Sequence, residues 1–577
     1  MELVKCYLRF ISIAAKTSKG FCVLAVLTGI LNFVVTILEI WVILFLVESL
    51  QYGDFSVFVN RVMPLVLFAG LLRLLLVFVS GKAKKHSYMF ILEFEKQILI
   101  KTITLPFSRL ESPEFLSLRE EVDFSIHQQG AIGHLVETSV DLIKSISTLL
   151  SMGFVISLIS PFLLMASLIS VMAVSFVKFK FNAYEIDFFN KLGNINRDYW
   201  YFGRLAFDYD RVLDIKANQM EEIIDKKFGE KTEDCITYFN GYYKKKATSS
   251  GIIIGISLLN VMFSVLKLGR NVFSGGIGIA DFNFFLSAAI RFSNNINITS
   301  EHILDLQRMC GFLSPVLKLL DFKNADVECN AVRKNAVCVS FENVSFAYPG
   351  SEKSAVRDIS FDLRKNSIIS IVGENGAGKS TIVKLICKLY SPQVGTVDSF
   401  PTHGISAVFQ DFKLLDDATV LENIVGETIL DEEARKKAID KIEMLLEYIG
   451  IDESIDLDSK LGVGMEEGNT TLSSGQKQLV ALLRALYRDA ELIILDEPTA
   501  NIDAKKELAL FSSLARFKQD RTILLISHRM ANVHFADEVL YMEDGQIKAR
   551  GGHNELLETD KGYRSLYMAQ KTLYDLK

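Results

Sequence analysis

Apolar residues in the first half of the chain fall in long, almost uninterrupted runs. A helix that crosses a hydrocarbon core needs roughly 20 such residues at 1.5 Å each. Phe21 to Val47 is the longest run, Val62 to Ser80 follows a short polar turn, and Leu142 to Ile159 is parted from Phe162 to Phe179 by Ser160-Pro161. Gly251 to Leu268 is weaker, as is Phe282 through about Ile298 behind Gly275-Gly276, and six spans is the economical reading. The connections near residues 81–136 and 180–247 are rich in charge and poor in turn residues, which predicts helices that run on past the membrane as long stalks. From Val337 the pattern changes to short β-rich runs at Val337–Phe341, Ile368–Val372, Ala407–Phe409, Leu492–Leu495 and Thr522–Ile526, with helical segments between several of them. Strands alternating with helices predict an α/β layer with a largely parallel sheet. The expected division is a helical membrane domain over 1–325, a linker over 326–336 and an α/β domain over 337–577.

Composition agrees with this division. A chain of 577 residues is too long for one core. Half its residues are apolar, Phe occurs 41 times, and mean hydropathy is +0.26. A net charge of −6 and a pI near 5.9 leave no basic footprint, so no nucleic-acid partner is expected. The seven cysteines are scattered without C-x-x-C spacing and read as small core residues of a reducing compartment. Lys5, Arg9, Lys16 and Lys19 precede the first span and Lys82, Lys84 and Lys85 follow the second, which places the N-terminus and both long connections in the cytoplasm. The first apolar run continues past the ~7–15 residues of a signal-peptide core, so it reads as a span.

Charges inside the spans are costly and need a reason. Glu39 lies about five residues outward of its span's centre and Arg73 about two inward of its own, an offset on the order of 10 Å that argues against a direct bridge. Each is expected to face a polar cavity or a neighbouring helix. The inner half of the sixth span carries Arg291, Asn294, Asn295, Asn297 and Glu301. Positions 291, 294, 295 and 298 share one helical face, so Arg73, Arg291, Asn294 and Asn295 are candidates for lining a translocation path, with helix packing as the rival reading.

The second half carries recognisable chemistry. Ile368–Val372 runs directly into Gly373-Glu374-Asn375-Gly376-Ala377-Gly378-Lys379-Ser380-Thr381, and a helix begins at the lysine. That is the strand-loop-helix context of a P-loop. Successive backbone N–H groups and the helix N-terminus cradle phosphates, a lysine at this position bridges the β- and γ-phosphates, and the following serine can ligate Mg²⁺. Leu492–Leu495 delivers Asp496 and Glu497 to the C-terminal end of a strand, where α/β folds place ligands. The first carboxylate suits the Mg²⁺ shell, and the second can orient or deprotonate an attacking water.

With Leu472-Ser473-Ser474-Gly475-Gln476 and Ser527-His528 in the same order, the chain closely resembles the ATP-binding cassette (ABC) family, specifically half-size exporters with six spans and one C-terminal cassette. The most specific part, Leu472-Ser473-Ser474-Gly475-Gln476-Lys477-Gln478, is similar to the signature L-S-G-G-Q, with Ser474 in place of its first glycine. The resemblance implies further roles: Tyr348 as the aromatic that stacks on adenine, Gln410 as the glutamine that reaches Mg²⁺, Asp503 as an aspartate of the dimer seam, and His528 as the switch histidine at the γ-phosphate. Segments around Leu110–Leu118 and Tyr209–Lys216 sit where such exporters place coupling helices. The stretch between Ser380 and Gln410 is shorter than usual, as if a β-hairpin near Gly395–Gly404 were trimmed. Fewer than about 20 residues precede the first span, too few for the peptidase of leader-cleaving exporters.

The resemblance implies ATP and Mg²⁺ as cofactors and a bacterial plasma membrane as the site of action. One chain carries one P-loop and one signature, and in this family each signature completes another cassette's site. The implied partner is therefore a second copy, with a heterodimer as the alternative. The implied function is export of an amphipathic substrate, with a peptide first and a lipid or drug second. An ATP-gated channel and an uptake system on the same architecture are the remaining readings.

Overall fold

The computed structural model describes residues 2–575 apart from Asp54, 158–160, Ala206, 323–336, Glu352, 401–403, 429–430, Asp452, Ser454, 463–468, Thr471, 500–503, Gln519 and His528. They form two compact units, Met1–Thr104 with Ser117–Phe322, and Leu105–Leu116 with Lys323–Lys577.

The first unit is helical. After Glu2–Thr17 come Lys19–Tyr52, Met63–Ile103, Ala131–Ser157, Pro161–Leu205, Glu221–Phe273 and Ile279–Asp321. Five stretches among the described residues are long and apolar enough to cross a membrane: Lys19–Gln51, Phe58–Ile103, Ala131–Ser157, Pro161–Glu185 and Glu221–Phe273. The sixth expected span lies on Ile279–Asp321, an unbroken helix of 43 residues that Arg291 and the asparagines at 294, 295 and 297 make more polar than the rest. Helices of 41, 45 and 53 residues at Met63, Pro161 and Glu221 exceed a membrane's thickness, as the stalk expectation required. Short helices Phe107–Leu110, which belongs to the second unit, Pro113–Asp123 and Tyr209–Ala217 occupy the two positions expected for coupling segments.

Packing in this unit relies on aromatic rings. Phe10, Phe90 and Phe94 are buried, with Phe10 edge-on to Phe90 at 5.6 Å. The polar groups contradict one expectation. Glu39 accepts hydrogen bonds from both Arg73 and Arg291, the latter from Nη1 at 3.0 Å. An offset counted along straight helix axes misleads here, because an arginine side chain spans several ångströms and spanning helices tilt by around 20°. Arg291 and Asn295 are half-buried and Asn294 is exposed, while Phe292, Ser293 and Ile296 on the opposite face are buried. Arg291, Asn294 and Asn295 therefore share the less packed face of their helix. Asn297 does not join them, since its Nδ2 donates to Ser257 Oγ at 3.1 Å.

The second unit contains eleven strands among its described residues: β1 Val337–Phe346, β2 Val356–Arg364, β3 Ile368–Gly373, β4 Val394–Asp398, β5 Ile405–Val408, β6 Lys460–Leu461, β7 Asn469–Thr470, β8 Leu492–Asp496, β9 Thr522–Ile526, β10 Glu538–Glu543 and β11 Gln546–Gly551. The main sheet runs β11-β10-β3-β9-β8-β5 and is parallel except for the β10–β11 hairpin. A smaller antiparallel sheet runs β2-β1-β4. The stretch after Gly395, expected to be trimmed, still supplies β4.

Burial on both faces explains why β3, β8 and β9 read as continuous apolar runs. Side chains alternate across a strand. Ile493, Leu495, Ile523 and Leu525 point into a core with Leu479, Leu483 and Leu510, whereas Leu492, Ile494, Leu524 and Ile526 join one with Ile382, Leu385 and Phe361. The parallel strands thereby place their C-terminal ends, Gly373 and Asp496, along one edge of a rigid layer.

Candidate functional site

β3 ends at Gly373 and the helix Lys379–Ile386 begins six residues later. Two glycines between them are obligatory. Gly373 has φ 155°, and a Cβ there would stand 2.2 Å from Met542 O; Gly378 has φ 98°, and a Cβ there would stand 2.7 Å from Ala355 O. Glu374, Asn375 and Gly376 are exposed at the loop's crest, Ala377 is buried beneath it, and Thr381 is buried on the helix. Lys379 is 5% exposed, and its Nζ donates to Gly373 O at 2.9 Å and Glu374 O at 2.7 Å. Burial lowers its pKa, against the opposing pull of Asp496 and Glu497. The ammonium thus lies under the loop, directed at its own carbonyls.

The two carboxylates arrive where expected. Asp496 is 4% exposed and accepts a hydrogen bond from Ser380 Oγ at 3.3 Å. Burial pushes its pKa up to about 6; the Ser380 bond opposes the rise and the Glu497 charge adds to it. Glu497 accepts from Gln410 Nε2 at 3.2 Å. Ser380, Asp496 and Gln410 offer hydroxyl, carboxylate and amide oxygens, the hard donor set that a magnesium ion takes beside phosphate oxygens and water. The buried carboxylate in particular gains from a cation. These residues fit the ion.

Tyr348 stands at the helix that follows the loop. Its hydroxyl and Thr381 Oγ1 are 3.1 Å apart, Lys384 Nζ lies 5.1 Å from its ring centre, and it meets Phe346 and Tyr390 edge-on. The segment Leu105–Leu116, which belongs to this unit, joins the same cluster. Phe107 packs edge-on against Tyr390 at 5.8 Å, and the Tyr390 hydroxyl donates to Glu111.

Ser473 and Ser474 are exposed and Gly475 and Gln476 half-buried, at the start of the helix Ser474–Tyr487. Ser473 Oγ accepts from Gln476 N at 3.2 Å while Ser473 N donates to Gln476 Oε1 at 3.0 Å. This reciprocal cap contributes about 1 kcal/mol and holds the signature as a rigid helix N-terminus, an anion-seeking end. Asp503 and His528 lie outside the described residues.

Three residues the sequence did not single out hold these parts together. Glu507, buried on Ala504–Phe517, accepts from Thr499 Oγ1 at 2.7 Å, Arg529 Nη1 at 2.6 Å and Asn532 Nδ2 at 2.7 Å, so it pins both the turn after Glu497 and the chain after Ser527. Asn423 bridges Leu415 and Thr419, and Arg484 of the signature helix donates to Asn423 O at 2.6 Å. That ties the segment after Gln410 to the signature helix. A half-buried arginine or a buried glutamate carries no motif, and only its partners reveal its use.

A model of the family described as ABC transporter matches residues 356–500, the stretch that runs from β2 through the P-loop, the signature and both carboxylates. The C-terminal domain is an ABC transporter's ATP-binding cassette. The whole chain also has an exporter's fold. It superposes on the structure of a bacterial Atm1-family ABC exporter with ATP bound at a TM-score of 0.77, with 19% identity, over 95% of this chain and 98% of the other. It is 27% identical to the nisin transport ATP-binding protein NisT of Lactococcus lactis subsp. lactis over 65% of each chain. It is 30% identical to the ATP-dependent lipid A-core flippase of Haemophilus influenzae (strain 86-028NP) over 55% of each. The chain thus spans less than two thirds of the length of these relatives.

Proposed function

We propose that the chain is one half of an ATP-driven exporter that works as a pair of identical chains in a bacterial plasma membrane, with its N-terminus and cassette in the cytoplasm. The observation that carries this reading is the cluster of Lys379, Ser380, Asp496, Glu497 and Gln410 at the C-terminal edge of the parallel strands, where Ser380 bonds Asp496, Gln410 bonds Glu497 and both carboxylates act on the Lys379 charge. Gly373 to Thr381 wrap the phosphates, and Tyr348 takes the adenine. Lys379 leaves its two carbonyls for the β- and γ-phosphates, a short movement for a side chain already aimed at the loop. Ser380, Asp496 and Gln410 would hold Mg²⁺, which would screen phosphate charge when bound. Glu497 orients the attacking water and accepts its proton. Ser473, Ser474, Gly475 and Gln476 close over the nucleotide of the second copy, Asp503 lines the seam between copies, and His528 meets the γ-phosphate. In the membrane half, Arg73 and the helix face with Arg291, Asn294 and Asn295 line the path.

An amphipathic peptide is the favoured cargo, supported by the likeness to a nisin transport protein over the larger share of the chain. Lipid export is the second reading, supported by likeness to lipid A-core flippases. Steady-state hydrolysis by the lipid-reconstituted chain tests the site. Glu497→Gln is expected to lower turnover by at least about 100-fold while ATP still binds, because it removes the proton acceptor and keeps the shape. Turnover like that of the unaltered chain would contradict the assignment. Inside-out vesicles offered a labelled amphipathic peptide or a labelled lipid then distinguish the cargoes by which accumulates or flips with ATP.

A further inference from the structure

Glu497 has φ 51°, a left-handed conformation that a residue with a Cβ adopts only when its surroundings impose it. Pro498 follows, so the turn has no N–H at that position to brace itself. Among the described residues, these bonds reach the Glu497 peptide units. Its own N–H donates to Ile526 O at 3.0 Å, continuing the β8–β9 ladder by one residue. Its carbonyl accepts from Gln478 Nε2 at 3.0 Å. Gln478 is 2% exposed and lies on the second turn of the signature helix, five residues after its N-cap Ser473. A long amide side chain in such a core costs free energy unless its polar atoms are used. Leu479, Leu482 and Leu483 beside it in sequence belong to the apolar core, so the amide stands among apolar neighbours.

We infer that Gln478 is a positioning residue for hydrolysis: its amide fixes the left-handed backbone of Glu497 and so aims the carboxylate that Gln410 meets on the other side. The inference rests on the reading of Glu497 as the group that handles the attacking water. It also gives the signature helix a second use. The helix whose capped end is offered to another copy's nucleotide grips, one turn further on, the carboxylate of its own chain's site. A displacement of that helix is then transmitted to Glu497 through one hydrogen bond.

The test is the kinetics of the full chain in lipid with Gln478→Met, which keeps length and volume and removes the donor, and with Gln478→Glu, which keeps the shape and places an acceptor against the carbonyl. A carboxylate misaimed by ~1 Å costs about 10- to 100-fold in kcat, and both variants are expected to lose that much while KM and the binding of Mg-ATP change less than about threefold. A residue that only fills the core would move binding and thermal midpoint together with turnover, or leave turnover alone. Wild-type-like kcat in either variant, a parallel loss of ATP binding, or failure of both to accumulate as folded protein each overturns the inference. Hydrolysis by the unaltered chain, measured alongside, separates the two levels: an inactive wild type overturns the reading of the site itself, whereas an active wild type with equally active variants overturns only the role of Gln478.

Discussion

At Asp496 the protein keeps a carboxylate where water cannot solvate it, with a pKa pushed up to about 6 by burial. The charged form is disfavoured until a cation arrives. The sign of the pH effect follows. Below about pH 6 the proton and Mg²⁺ compete for the same oxygens, so the Mg²⁺ concentration for half-maximal hydrolysis is expected to rise toward about tenfold per pH unit, and to level off above pH 7. Titrating Mg²⁺ at pH 5.5, 6.5 and 7.5 checks this; a half-saturation that does not move with pH would show that Asp496 does not meet the ion. Asp496→Asn should abolish this dependence together with most of the turnover. At this scale the sequence was most legible where a residue's chemistry is carried by its neighbours along the chain. Gly373 to Thr381 declare a phosphate loop because the loop is contiguous. Gln478, Glu507 and Arg484 were not legible, since each acts on a residue 19, 8 or 61 positions away that only folding brings near.

Among the elements, the segment Leu105–Leu116 has the sharpest consequence. Its membership in the cassette unit depends on Phe107 against Tyr390 and on the Tyr390–Glu111 bond. An aromatic pair of this kind is worth about 1 kcal/mol beyond the area it buries. Phe107→Ala should therefore speed hydrogen exchange of amides in 105–116 by roughly tenfold and leave those of β3 unchanged; equal protection in both would show that the ring does not hold the segment. In the helical unit, Glu39 between Arg73 and Arg291 behaves as a shared counter-ion. Glu39→Gln leaves two arginines without it and should cost stability on the order of 2 kcal/mol, read as a lower thermal midpoint, with partial recovery in Glu39→Gln/Arg291→Gln. Additive losses in the double variant would deny the pairing. Long apolar runs and the buried strands β3, β8 and β9 were readable because burial on every side leaves no polar positions. β2 was missed because the exposed pair Arg357-Asp358 breaks the alternation that resumes only at Ile359-Ser360-Phe361. The bridge at Glu39 was missed because sequence gives height along an axis and neither tilt nor side-chain reach.

For the whole molecule, the fold follows from two incompatible patterns in one chain: uninterrupted apolar helices that need lipid, and a doubly covered sheet that needs water around it. That contrast made the architecture legible early. The cargo was not legible, because the proposed path face at 291, 294 and 295 offers amides and a guanidinium already bonded to Glu39, a chemistry that suits several amphipathic molecules. The central claim is that the P-loop of one copy closes against the signature of another. Cysteines introduced at exposed positions by Asn375→Cys and Ser474→Cys, in a Glu497→Gln background that retains ATP, test it through disulfide formation. The account predicts that Mg-ATP produces a covalent species of about twice the 64.8 kDa of one chain, absent without nucleotide and absent with either cysteine alone. Cross-linking that ignores ATP, or a product that stays at the mass of a single chain with ATP bound, would contradict it.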